Sequence, residues 1–229
     1  MKSIALRQIA STFAASVCLC APAFASPGLD AGHGTHSTKN PKAFLVVAAP
    51  SGQAALWQRI VTYLPTAFRR GPGIRVVETT QAAIASAAVS ATAVAADGDG
   101  PVDGLYLPPP DAQDTPAEVM VRQGLRGMLA GLVFTHELGH YVWQTELTRT
   151  QREAYRALWK SRVELGGLIT TYADASPQEG FAEAFAWYVR RPIALRRVDA
   201  KSYDFVAQLA HPKSLLRATQ RTLAPKGAD

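Results

Sequence analysis

The chain has 229 residues, 48% of them hydrophobic and 18% charged, with a formal net charge of +6. That balance suits a globular core and excludes both a highly charged disordered tail and a charge-laced coiled coil. Both cysteines, Cys18 and Cys20, stand among the first twenty residues. Once these are removed, disulfides, a cysteine nucleophile and a cysteine-ligated metal are excluded as well.

Residues 1–25 read as a secretory signal peptide. Lys2 and Arg7 give a positive start, Ile9 to Cys20 is apolar apart from small hydroxyl residues, and Ala23-Phe24-Ala25 is a small-x-small cleavage site. The apolar stretch is too short to span a membrane and no longer one follows, so no membrane anchor is expected. Neither cysteine follows a small residue, as lipid attachment needs. Cleavage after Ala25 also removes two basic residues, which leaves a weak, scattered positive excess. Nucleic-acid binding through a basic stripe is disfavoured, and no zinc-finger or RNA-recognition spacing is present.

Residues 26–41 are rich in Gly, Ser, Thr and His and predict a flexible lead-in, followed by a single domain over 42–229. Lys42 to Ala49 predicts a buried strand. A helix follows from Ser51, with Leu56, Ile60, Val61 and Leu64 on one face, and ends before Gly71-Pro72-Gly73. Ile74 to Thr79 returns to strand character. The Ala-rich segment 81–96 fits a helix or a poorly ordered surface stretch, and Val102 to Leu107 a strand closed by Pro108-Pro109-Pro110. Ala117 to Val121 fits either an edge strand or the first turn of a helix capped by Thr115.

The second half is more helical. Arg122 to Glu146 carries Leu125, Met128, Leu129, Leu132, Val133 and Leu138 at helical spacing, and further helices are predicted over Thr150–Glu164, Ser176–Arg190 and from Tyr203. Strands first and helices later predict an α+β fold rather than a doubly wound sheet: a small mixed sheet, then helices.

His136-Glu137-Leu138-Gly139-His140 is an H-E-x-x-H motif within a predicted helix. Positions i and i+4 share a helical face, so both imidazoles reach one ion, while Glu137 beside them reaches an ion-bound water as general base. Such a zinc ion needs a third protein ligand. His211, in a predicted loop before Pro212, is a poor one. Glu179 and Glu183, spaced i and i+4, can divide the work, one binding metal and the other accepting the ring N–H of a ligating histidine. Glu153 and Glu164 each stand on a helix among basic neighbours and read as a solvated face. Ser176-x-x-Glu179 also fits a capping box that would take Glu179 away from a metal, so spacing leaves Glu179 and Glu183 equal candidates.

The run from Tyr172 through Glu179 and Glu183 to Phe185, following H-E-x-x-H, resembles the catalytic core of the anthrax-toxin lethal-factor family, which includes secreted Pro-Pro endopeptidases. Asp199 to Val206 resembles the family's segment after this helix, and the resemblance spans roughly Val102 to Leu209. It implies a zincin-like fold and one zinc ion. His136, His140 and Glu179 would be its ligands, Glu137 the base, Tyr172 the oxyanion-stabilising phenol and Glu183 the partner of a ligating histidine. Gly180 stands where the family usually has Phe, a departure expected to loosen the packing behind Glu179.

The expected function is therefore that of a secreted zinc endopeptidase acting as a monomer on an extended protein or peptide. Its substrate would add to an edge strand, Val102–Leu107 or Ala117–Val121. A periplasmic peptidase acting on cell-envelope peptides and a secreted metal-binding module without turnover are the alternatives. No further domain of the kind a toxin uses for cell entry is expected, and no residue set decides the cleavage-site preference. His33-Gly34-Thr35-His36 resembles the histidine segment of subtilisin-type proteases, but no nucleophile segment follows it.

Overall fold

The computed structural model describes residues 44–47, 52–92, 103–109 and 115–211. The expected signal peptide, the lead-in and the His33–His36 segment lie outside these residues. In the first half, β1 (Leu45–Val47), α1 (Ala54–Tyr63), a 3-10 turn (Thr66–Phe68), β2 (Ile74–Thr79), α2 (Gln81–Thr92), β3 (Gly104–Leu107) and β4 (Ala117–Arg122) follow in order. The strands form one sheet in the order β1-β2-β4-β3, parallel from β1 through β4, with β3 antiparallel to β4. The architecture is thus α+β with a small mixed sheet, as expected.

Alternation explains β4. Ala117, Val119 and Val121 are fully buried on one face, while Glu118, Met120 and Arg122 alternate with them. This period of two corrects both earlier options: Ala117–Val121 is neither a helical first turn nor an edge strand. It is central, bonded to β2 and β3. Among the described residues the edge on this side of the sheet is β3, held at its start by an ion pair between Asp103 and Arg122. Leu105 packs with Ile84 and Ala88 of α2 on one face of the sheet, and Tyr106 joins the main core on the other. The Ala-rich segment is therefore helical over Gln81–Thr92, with Thr80 Oγ1 accepting from the Ala83 amide at its start.

The second half comprises α3 (Gly127–Thr145), α4 (Arg149–Glu164), a 3-10 turn (Tyr172–Asp174), α5 (Pro177–Arg190), α6 (Pro192–Val198) and α7 (Ala200–Ala210). Helix α3 starts later than expected, because Arg122 still belongs to β4 and a turn intervenes. Its first turn is not on the core face either: Met128 is 55% and Leu129 39% exposed, whereas residues 134–143 are buried throughout. Helix α6 is not among the predicted elements; it opens at Pro192, where a proline at the first helical position loses no hydrogen bond. Helix α7 begins earlier than Tyr203, where Asp199 accepts from the Ser202 amide at 3.2 Å and its hydroxyl at 2.7 Å. Among the described residues no helix is long and apolar enough to cross a membrane.

An aromatic cluster sets α5 against its neighbours. Phe181 lies 5.2 Å from Tyr155 of α4 and 5.5 Å from Trp143 of α3, and Phe185 stacks edge-on to Phe68 at 5.1 Å. Helices α3 and α5 run antiparallel and touch backbone to backbone at Gly139, where an added Cβ would stand 2.6 Å from Ala182 Cα. Backbone cannot yield as a flexible side chain can. Gly139→Ala is therefore expected to cost stability at the upper end of the roughly 1–3 kcal/mol typical of overpacking. Urea unfolding of the metal-stripped protein would measure it; an unchanged midpoint would contradict the close approach.

Candidate metal centre

That close approach puts the two functional helices within bonding distance. His136 and His140 project from one face of α3, and Glu179 meets them from the first turn of α5. All three are buried, at 6%, 1% and 5% exposure, and their donor atoms gather within 4.8 Å of one another. His136 Nε2 lies 3.1 Å from His140 Nε2 and 3.0 Å from Glu179 Oε2, and His140 Nε2 lies 3.3 Å from the same oxygen. Four-coordinate zinc, with bonds of about 2.0–2.2 Å, spaces its ligands about 3.3 Å apart. The triangle has that size.

The donor set points the same way. On the far side of the His136 ring, Nδ1 lies 2.8 Å from Glu183 Oε1, so it carries a proton and donates to that carboxylate. In the neutral ring Nε2 is then a lone pair facing a carboxylate oxygen and a second imidazole nitrogen. One added proton satisfies a single pair of these atoms. A divalent cation satisfies all three. His–His–Glu ligation with no sulfur suits zinc.

The Ser176–Glu179 alternative resolves by half. Ser176 Oγ does cap α5, accepting from the Glu179 amide at 3.2 Å, but the Glu179 carboxylate turns to the histidines instead of back to the cap. Glu153 pairs with Arg149 on the exposed face of α4, and His211 sits at the exposed end of α7; neither belongs to the cluster.

Glu137, only 1% exposed, faces β3. A methyl group at Gly104 would run into its Oε1 and stand 2.8 Å from Val133 Cγ1. The lack of a side chain at Gly104 thus lets the edge strand lie directly against the carboxylate. Tyr172, half-buried in its 3-10 turn, lies beside His136 with ring centroids 5.8 Å apart. The structure therefore gathers His136, His140 and Glu179, sets Glu183 and Tyr172 against His136, and turns Glu137, the next residue of α3, toward β3.

Sequence reasoning missed three contributors. Gly104 carried no signal. Thr170 donates to Glu183 Oε2 at 3.1 Å and so holds the carboxylate that holds His136. Trp159 fills the space over Gly180, so the packing there is not loosened as expected: an aromatic side chain from α4 occupies it.

Charge coupling within the cluster is strong. Burial pulls the His136 ring toward its neutral form, but Glu179 and Glu183 outweigh it and hold its pKa well above 6.5. Burial pushes Glu179 up, while His140 and His136 together draw it from 4.5 down to about 2. In the metal-stripped protein, the raised His136 stabilises fully below 6.5, and this is lost as pH rises through its raised value. The lowered Glu179 stabilises fully above 4.5, and this is lost as pH falls toward 2. Melting of the metal-stripped protein should therefore be highest between pH 4.5 and 6.5 and decline on both sides. A melting temperature that climbed steadily from pH 6.5 to 9 would contradict the assigned coupling.

The sequence matches no family model and no curated protein. Among solved structures, the chain is similar to the Pro-Pro endopeptidase PPEP-2 from Paenibacillus alvei, at 17% identity and a TM-score of 0.48. The match covers 72% of this chain and 97% of that one.

Proposed function

We propose that this protein is a zinc-dependent endopeptidase, exported through the N-terminal signal and acting on extended protein or peptide substrates. The observation that carries the reading is the buried triangle of two imidazole nitrogens and one carboxylate oxygen, with a second buried carboxylate, Glu137, beside it. Its residues are also those on which the lethal-factor-like resemblance rests.

His136 Nε2, His140 Nε2 and Glu179 Oε2 would hold the ion, and Glu183 fixes His136 in the tautomer that leaves Nε2 free to ligate. A bound zinc would polarise a carbonyl and lower the pKa of water toward about 7. An extended peptide laid alongside β3 would pass Glu137, which the strand meets at Gly104. Glu137 takes a proton from the attacking water at its carboxylate and returns it to the leaving amine nitrogen as the C–N bond breaks. Tyr172 donates its phenolic hydrogen bond to the oxygen on which negative charge develops.

The test is a peptide library incubated with the zinc-loaded protein and read by mass spectrometry for new N-termini. Internal cleavage abolished by a chelator supports the reading. Stoichiometric zinc without any cleavage in a diverse library would leave a binding module in its place.

A further inference from the structure

The 3-10 turn that bears Tyr172 is short: within it, Asp174 donates to the Thr171 carbonyl at 3.3 Å and Ala175 to that of Tyr172 at 3.1 Å. Two side chains from elsewhere hold it. Thr170 Oγ1 accepts from the Ala173 amide at 3.1 Å while donating to Glu183 Oε2, so the turn hangs from the carboxylate that orients His136. Trp159 of α4 donates its indole N–H to the Ala173 carbonyl at 2.8 Å. Both main-chain polar groups of the residue after Tyr172 are thereby fixed from outside the turn, and the Ala173 side chain is fully buried.

Gly180 makes the second attachment possible. A Cβ there would stand 2.5 Å from Trp159 Cδ1, 3.0 Å from its Nε1 and 3.1 Å from the Ala173 carbonyl oxygen. Only a residue without a side chain leaves the indole room to lie across α5 and reach the turn. Gly180 directly follows Glu179, so the first turn of α5 meets the metal cluster and the Tyr172 turn together.

We propose that Trp159, seated on Gly180, and Thr170, bonded to Glu183, are positioning residues that together clamp the Tyr172 turn and so aim its phenol beside His136. This rests on the proposed peptidase reading for what the phenol does, but the clamp itself can be tested without turnover. Thr170→Val keeps the shape and removes the hydroxyl, Thr170→Ser restores it, and Trp159→Phe keeps an aromatic ring and removes the N–H.

Hydrogen exchange of the full chain should show the amides of residues 173–175 exchanging about fivefold faster or more in Thr170→Val and Trp159→Phe, as expected for one lost hydrogen bond. Protection in α3 should be unchanged, and Thr170→Ser should exchange like the parent. In the zinc-loaded protein, each of the two disruptive variants should lower kcat by about tenfold with KM within about twofold. In a Tyr172→Phe background Trp159→Phe should lower it by less than about twofold further, because its effect passes through the phenol, whereas Thr170→Val, which also releases Glu183, should keep a further loss. Unchanged exchange at 173–175, or a Trp159→Phe loss in kcat that multiplies fully in the Tyr172→Phe background, would overturn the clamp. If Tyr172→Phe itself kept full kcat, the peptidase reading of the phenol would fail, and the exchange result would still report the clamp separately.

Discussion

Glu137→Gln is expected to fold, bind zinc as the parent does, and lose roughly 10²–10⁴-fold in kcat, the usual contribution of a positioned general base. The carboxylate is buried against β3, so the isosteric amide fits the same space, whereas alanine would open a cavity beside Gly104. What the amide cannot do is accept a proton. The loss should therefore fall on kcat with little change in KM, measured on a peptide found in the cleavage screen. A variant with parental turnover would remove Glu137 from the mechanism.

The two glutamates of α5 should separate sharply by metal affinity. Glu179→Ala removes one of three donors and the negative charge facing both imidazoles. Zinc-finger sites with four ligands gain roughly 10–16 kcal/mol in total, so losing one ligand, about a quarter of that, should weaken zinc binding by roughly 10²–10³-fold. Glu183→Gln keeps all three donors and only weakens the hydrogen bond to His136 Nδ1, which costs about 10–100-fold at comparable sites. Competition titration against a chelator of known affinity reads both. A larger loss for Glu183→Gln than for Glu179→Ala would reverse their assigned places.

Local pattern made part of this legible. Spacing by four put His136 and His140 on one helical face, and Ile74 to Thr79 reads as the strand it is. The sheet's order was not legible, because a strand such as β4 carries the same inward alternation whether it is central or at the edge of a one-sided sheet. Nor could spacing choose between Glu179 and Glu183, since both face the same side of α5 and the difference lies in which nitrogen of His136 each meets. Trp159 and Gly180 are twenty-one positions apart, and only the packing of α4 on α5 brings them together. Thr170 is one hydroxyl in a loop, with no periodicity to mark it.

X-ray absorption at the zinc edge, on the full-length protein loaded with one equivalent, bears most directly on the central claim. The account predicts a first shell of nitrogen and oxygen only, with two imidazoles and metal–ligand distances of about 2.0–2.2 Å. A sulfur contribution, an imidazole count other than two, or an octahedral shell of water oxygens would contradict it.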